Sequence, residues 1–115
     1  LKVLANKQLL TLAITNLLSN ACKYSGNATV IISISATDKH VLLIINDKGI
    51  GIPASELQYI YDPFFRASNT KHFDGYGIGL PLTRNIILLH KGKLSVNSIL
   101  NQGTTVKIEL PFAFQ

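Results

Sequence analysis

The chain has 115 residues, 47% of them hydrophobic, and a formal net charge of +5. This length closes one hydrophobic core but is short for two, so residues 1–115 are expected to form one domain. No apolar run is long enough to span a membrane, no signal-peptide pattern opens the sequence and no basic run favours nucleic acid, so a soluble intracellular domain is expected.

The first predicted element is a long amphipathic helix that begins after Asn6, its N-cap, and runs to about Lys23. Its apolar residues recur at steps of three and four: Leu9, Leu10, Ala13, Ile14, Leu17, Leu18 and Ala21. The single cysteine, Cys22, lies within this pattern, which excludes a disulfide framework and favours a buried, inert thiol.

A β-hairpin is predicted next, followed by a short helix. Residues 29–36 and 41–46 are rich in β-branched and aliphatic side chains, and a polar turn separates them. Pro53 suits the first turn of a helix whose buried side is Leu57 and Ile60.

The rest of the chain adds a loop, a helix and two strands. Residues 62–75 are polar and show neither the helical nor the strand period, which predicts a long surface loop. A helix begins after Gly79 and ends near Gly92, and strands follow at 93–97 and 104–110. Strands interspersed with helices without strict alternation predict an α+β fold, with helices on one face of an antiparallel-rich sheet.

A carboxylate and two glycines follow the second strand. Asp47 closes that strand, and Gly49 and Gly51 allow the backbone to approach a ligand closely. A strand-end turn without any ligand has the same pattern. The stretch is therefore a candidate binding site that needs support from elsewhere in the chain.

Three further glycines, Gly75, Gly77 and Gly79, precede the second long helix. Free backbone N–H groups and the positive dipole end at a helix N-terminus favour phosphate, although a flexible loop has the same composition. The spacing matches neither the phosphate loop that ends in Gly-Lys-Ser/Thr nor the dinucleotide fingerprint. A nucleotide site here needs a third design.

Two asparagines, Asn16 and Asn20, lie one turn apart on the first helix, and Lys23 and Tyr24 close the same end. Amide oxygens suit Mg²⁺ beside a triphosphate. Solvated polar positions are the alternative interpretation, although asparagine is a poor helix former in an apolar helix.

Four segments, taken in order, resemble the sequence boxes of the ATP-binding catalytic domain of sensor histidine kinases. Residues 16–25 resemble the N box, 47–53 the first glycine box, 62–66 the F box and 75–80 the second glycine box, and 103–111 resemble the closing turn and strand. The wider family includes gyrase, mismatch-repair and chaperone ATPases. The resemblance implies the Bergerat fold, a two-layer α/β sandwich with a mixed, mostly antiparallel sheet and about three helices on one face, and it implies ATP and Mg²⁺ as cofactors.

The resemblance also implies roles for individual residues. Asp47 resembles the carboxylate that accepts a hydrogen bond from the adenine amino group, which selects adenine over guanine. Asn20 resembles the Mg²⁺ ligand, and Asn16, Lys23 and Tyr24 resemble residues that contact phosphate or nucleotide. The remaining implied nucleotide contacts are Gly49, Gly51, Gly75, Gly77, Gly79, Leu80 and Thr104.

Five residues of the predicted loop have two interpretations each. Phe64 and Phe65 pack the lid against the body or are ordinary core aromatics. Arg66, Lys71 and His72 neutralise the γ-phosphate or are solvated charges.

Two departures from the wider family narrow the implied reaction. Hydrolysing relatives carry a glutamate one turn before the Mg²⁺-binding asparagine, whereas this chain has Asn16, whose amide cannot act as a general base. The phosphoacceptor histidine of the family precedes an acidic residue, and His40, His72 and His90 do not. No catalytic residue is therefore assigned, and His40 and His90 are expected to be exposed or to cap a helix end.

The resemblance thus implies a two-component histidine kinase domain, which transfers the γ-phosphoryl of ATP to a histidine on the dimerisation domain of the parent chain. A receiver domain of a response regulator then accepts the phosphoryl group. The domain is expected in the cytoplasm without direct membrane contact, in a parent anchored in the inner membrane. The alternatives are a serine-kinase relative of the anti-sigma or dehydrogenase-kinase type, an inactive nucleotide-binding scaffold and a nucleic-acid binder.

Overall fold

The computed structural model describes residues 2–26, 29–70 and 79–112. Every element predicted within these ranges is present, in the predicted order. The bounds are α1 Lys7–Ser25, β1 Val30–Ala36, β2 His40–Asp47, a first 3₁₀ turn Ala54–Tyr59, a second 3₁₀ turn Ser68–Thr70, α2 Gly79–Leu89, β3 Lys93–Ile99 and β4 Gly103–Pro111. Neither α1 nor α2, the two α-helices of the described ranges, is long and apolar enough to cross a bilayer.

The N-terminal cap of α1 is the one predicted from the sequence. The Asn6 side-chain oxygen accepts a hydrogen bond of 3.0 Å from the Leu9 amide, which satisfies one of the unpaired N–H groups of the first turn. Ala13, Leu17 and Ala21 follow at four-residue steps and are buried. Cys22 is exposed, so the prediction of a buried thiol is wrong: the next position along a helix points about 100° away from the buried face.

The sheet has the strand order β1-β2-β4-β3, and each pairing among the described residues is antiparallel. Ile45 of β2 and Ile108 of β4 are almost completely buried on the face that α1 and α2 cover. Asp47 ends β2 opposite Thr104, the second residue of β4. The predicted α+β architecture, with helices layered on an antiparallel-rich sheet, is therefore confirmed.

The two α-helices are joined at one end by His90. Its Nε2 accepts a hydrogen bond of 3.0 Å from the Asn6 amide, so Nδ1 carries the proton and donates to the Ile86 carbonyl at 2.8 Å. The prediction that His90 caps a helix end is confirmed. This link places the N-terminus of α1 beside the C-terminus of α2, so the opposite ends, Tyr24 and Gly79, lie together on the side of the cavity described below.

Thr83 faces the core from α2, and its substitution offers a test of the packing. The residue is completely buried, and its hydroxyl has no hydrogen-bond partner among the described residues. Thr83→Val keeps the shape and removes the unpaired hydroxyl, so the free energy of unfolding should rise by about 1 kcal/mol. Urea unfolding measures the change, and a lower stability of the variant would show that the hydroxyl is paired after all.

Candidate functional site

A cavity of about 290 Å³ opens between α1, the N-terminus of α2 and the ends of the central strands. It brings together most of the residues that the sequence singled out for ligand binding. These are Asn20, Lys23, Tyr24, Asp47, Gly51, Gly79, Leu80 and Thr104. Four segments far apart in the sequence therefore form one concave site, the usual form of a small-molecule pocket.

Some of the predicted site residues are not part of the cavity wall. Asn16, one turn before Asn20, and Gly49 do not line the cavity. Gly75 and Gly77 lie outside the described residues, as do Lys71 and His72. The part of the second glycine stretch that the structure describes, Gly79 and Leu80, does line it.

Asp47 is the carboxylate of this cavity. Its side chain is buried, with a relative exposure of 7%, and Oδ1 accepts a hydrogen bond of 2.9 Å from the Gly49 amide. Within the described ranges no other donor and no cation lies within bonding distance of the carboxylate. A carboxylate has two oxygens, so Oδ2 remains to accept a hydrogen bond from a ligand. A buried charge of this kind is costly unless such a partner is supplied.

The glycine loop after Asp47 is held rigidly by neighbouring elements. The Ile50 amide donates to the Tyr24 carbonyl at 3.2 Å, and the Ile50 carbonyl accepts from the Asn101 amide at 2.7 Å. Gly51 has a φ of +67°, a conformation that glycine adopts without strain. Hydrogen bonds therefore hold the loop between the end of α1 and the β3–β4 turn.

Ser98 links the glycine loop to Thr104, and this residue was not predicted from the sequence. Its Oγ accepts from the Ile52 amide at 2.8 Å, donates to the Gly103 carbonyl at 3.1 Å and lies 2.8 Å from Thr104 Oγ1. One hydroxyl proton serves only one acceptor, so Thr104 is the donor to Ser98. The alternation of Leu94, Val96 and Ser98 along β3 marks Ser98 as inward-facing, and this was the available signal.

The two phenylalanines of the predicted loop have different environments. Phe65 lines the cavity, and its ring centroid lies 5.7 Å from that of Tyr59. Phe64 has a φ of +67° and is 73% exposed, so its interpretation as a core aromatic is wrong. The residue lies in a turn, a placement that composition does not reveal.

Arg84 of α2 contacts Tyr61, which lies in the same segment as these aromatic residues. Its guanidinium lies 4.9 Å from the centroid of the Tyr61 ring, within range of a cation–π interaction. Burial raises the pKa of Tyr61 above its ordinary value, and the nearby charge of Arg84 partly offsets this rise. Tyr61 is therefore neutral at physiological pH and serves as an apolar surface for Arg84.

The cavity combines one acidic group with cationic and apolar ones. Lys23 and Arg66 contribute positive charge, and the Lys23 ammonium lies 5.2 Å from the Tyr24 ring centroid. Leu17, Ile52, Val96 and Val106 supply apolar surface on which a flat ring can pack. The arrangement suits a ligand that combines a planar base carrying a hydrogen-bond donor with a polyanion.

The described residues contain no group of three or more His, Cys, Asp or Glu side chains arranged as a metal cage. Asn20 contributes an amide to the cavity wall near Lys23 and Tyr24. A single protein oxygen is consistent with Mg²⁺, which in proteins is commonly held by one or two side chains together with phosphate oxygens and waters.

Comparisons with known proteins find relatives over nearly the whole chain. The model of the family described as histidine kinase-, DNA gyrase B-, and HSP90-like ATPase matches residues 5–113. The adaptive-response sensory kinase SasA of Synechocystis is 39% identical over 112 residues, which cover 95% of this chain. The sensor histidine kinase WalK of Bacillus subtilis is 32% identical over 108 residues, which cover 90%.

A solved structure has the same fold. The mycobacterial sensor histidine kinase MprB superposes with a TM-score of 0.87 at 32% identity, covering 95% of this chain and 76% of that one. The chain spans 29% of the length of SasA and 18% of the length of WalK. The matched region is therefore a domain within these much longer relatives.

Proposed function

Because the chain belongs to the family of histidine kinase-, DNA gyrase B- and HSP90-like ATPases and has the ATP-binding catalytic domain of sensor histidine kinases, we propose that residues 1–115 form a phosphotransfer domain. It binds Mg²⁺-ATP in the cavity between α1, the glycine loop and α2. Within the parent chain it transfers the γ-phosphoryl to a histidine on a separate dimerisation domain. The family supports ATP as the ligand, and the site roles below are proposals.

The observation that carries the proposal is the buried carboxylate of Asp47. One of its oxygens accepts from the Gly49 amide, the other has no partner among the described residues, and Asp47 lines a cavity with apolar walls. The adenine amino group is a donor that matches this acceptor, whereas guanine presents a carbonyl at the same position and is repelled. Thr104, held by Ser98, stands opposite Asp47 at the same end of the cavity.

The side of the cavity formed by α1 and the N-terminus of α2 is proposed to hold the phosphates. Lys23 supplies a compact positive charge, and Gly79 begins α2, whose N-terminal N–H groups favour anions. Asn20 would hold Mg²⁺ through its side-chain oxygen, with Asn16 one turn away. Bound Mg²⁺ neutralises phosphate charge as the phosphoryl group is transferred.

Slow hydrolysis is expected from the residues that line the cavity and from Asn16, one turn before Asn20. Asp47 is the single carboxylate among the described lining residues, and the proposal assigns it to the base. Asn16, at the position where hydrolysing relatives have glutamate, has an amide that cannot take a proton from water. The γ-phosphoryl is thus preserved for an acceptor that docks from outside.

The proposed partners are the dimerisation domain that carries the phosphoacceptor histidine and, after it, a receiver domain of a response regulator. We place the parent protein in the inner membrane with this domain in the cytoplasm. No nucleic acid and no direct membrane contact belong to the proposal.

A phosphotransfer assay tests the proposal. When the chain is mixed with the helical dimerisation domain of its parent and ATP labelled at the γ-phosphate, the label should appear on histidine as an acid-labile phosphate, and the chain alone should remain unlabelled. Absence of label despite ATP binding would identify a scaffold, and label on serine would identify a serine-kinase relative. Oligonucleotide affinity with steep salt dependence and indifference to Mg²⁺-ATP would identify a nucleic-acid binder.

A further inference from the structure

Asn69 lies in the second 3₁₀ turn and makes one defined contact with the site. Its side-chain Nδ2 donates a hydrogen bond of 2.9 Å to the carbonyl of Gly51, a buried residue that lines the cavity. The nitrogen of the amide must be the atom that faces this carbonyl, because the amide oxygen would repel it. Asn69 itself is not among the residues that line the cavity.

The bond completes the support of the glycine loop. The polar groups of Ile50 are paired with the end of α1 and with the β3–β4 turn, and the Ile52 amide is paired with Ser98 of β3. The carbonyl between them, that of Gly51, is paired with Asn69. Among these partners, Asn69 is the one that lies in the second 3₁₀ turn, directly after the segment that joins the two turns.

That same segment forms one wall of the cavity. Phe65, Arg66 and Ala67 line the cavity directly before the second 3₁₀ turn. The Glu56 carboxylate accepts hydrogen bonds from the Ser68 amide at 2.9 Å and the Ser68 hydroxyl at 2.8 Å. Glu56 therefore fixes the wall segment to the first 3₁₀ turn, and Asn69 fixes it to the glycine loop.

Asparagine is a poor choice at this position for stability alone. Its Oδ1 is buried and has no hydrogen-bond partner among the described residues. A buried polar atom without a partner costs free energy, which offsets much of the gain from the bond that Nδ2 makes. The value of Asn69 must therefore lie in the placement of the Gly51 carbonyl.

We propose that Asn69 is a positioning residue for the nucleotide, which sets the separation between the wall at residues 65–67 and the glycine loop, between which the ligand binds. The inference rests on the proposed function. Losing the Nδ2 donor leaves the Gly51 carbonyl without its partner and lets wall and loop move apart. The ligand must then restore this geometry when it binds, so its affinity falls.

Two variants and one control test the role. Asn69→Ala removes the donor and the volume of the side chain, and Asn69→Leu removes the donor but retains most of the volume. Calorimetric titration with a non-hydrolysable ATP analogue should show an affinity about tenfold lower for both variants. Asn85→Ala, the same change on the exposed side of α2, should leave the affinity unchanged.

Thermal unfolding separates positioning from stability. The unfolding temperature without nucleotide should change little in the Asn69 variants, whereas the rise on adding saturating nucleotide should shrink. Affinities within twofold of the unsubstituted chain, or recovery of affinity in Asn69→Leu, would overturn the inference. If the unsubstituted chain does not bind the analogue, the proposed function is wrong and the inference fails with it. If the unsubstituted chain binds and the variants bind equally well, only the inference fails.

Discussion

Asp47→Asn is expected to weaken the binding of a non-hydrolysable ATP analogue by about a hundredfold, equivalent to about 2.8 kcal/mol. The carboxylate has two acceptor oxygens, one that accepts from the Gly49 amide and one that the proposed function assigns to the adenine amino group. The amide has a single oxygen, so it satisfies the loop or the base but not both. Calorimetric titration with and without Mg²⁺ measures the loss.

Asp47→Asn should also reduce the selectivity for adenine over guanine. The amide nitrogen of the variant can donate to the carbonyl of guanine, whereas a carboxylate offers this carbonyl only acceptor oxygens. The ratio of GTP to ATP analogue affinities should therefore rise in Asp47→Asn. Asp38→Asn makes the same change in charge at an exposed position of the β1–β2 turn and serves as the control. Equal ATP affinity in Asp47→Asn and the unsubstituted chain would remove the adenine assignment.

Gly51→Ala is expected to lower the free energy of unfolding by about 4 kcal/mol, a large part of the stability of a domain of this size. The residue has a φ of +67°, which costs a residue with a Cβ about 1 to 2 kcal/mol. A Cβ at this position would also overlap the Ile99 carbonyl group, with its carbon at 2.7 Å and the Leu100 Cα at 3.0 Å. These are backbone atoms of the β3–β4 turn, so the overlap can be relieved only by moving the loop.

Gly26→Ala is the matched control for this prediction. Gly26 has nearly the same φ, +63°, but no described atom lies within 4 Å of the position that a Cβ would occupy. Its ψ of −120° lies outside the left-handed helical region, so its substitution should cost about 2 kcal/mol, from backbone strain without overlap. Urea unfolding of both variants isolates the steric part as their difference. Similar losses in the two variants would show that the loop is not pressed against the β3–β4 turn.

The residues that line the candidate site were largely predictable where their chemical type marks them in the sequence. Three features stand out in the sequence: Asp47 at the end of a strand, the two asparagines of α1 and the glycine stretches. The resemblance to the sequence boxes of the family predicted that they belong to one site. The structure places Asn20, Asp47 and Gly51 in one cavity wall. Asn16 was predicted on the same pattern as Asn20 but lies outside that wall, because helical spacing alone does not determine which of two neighbouring turns faces a cavity.

The predictions that failed concern burial. Cys22 lies within an apolar helical pattern and Phe64 is aromatic, and both are exposed. One residue sits just beyond the buried stripe of α1, and the other occupies a turn with positive φ. In each case the backbone direction decides where the side chain points, and hydrophobicity does not.

The amino-acid sequence by itself determined the order of helices and strands, the cap at Asn6 and the chemical groups available for a nucleotide, since each depends on residues close together in the chain. Only the tertiary structure decided which polar groups meet. Ser98 pairs with Ile52 across 46 residues, Asn69 with Gly51 across 18 and Ser68 with Glu56 across 12. The physical reason is that a hydroxyl, amide or carboxylate can pair with many backbone groups, and packing of the helices on the sheet leaves one of them within hydrogen-bond distance.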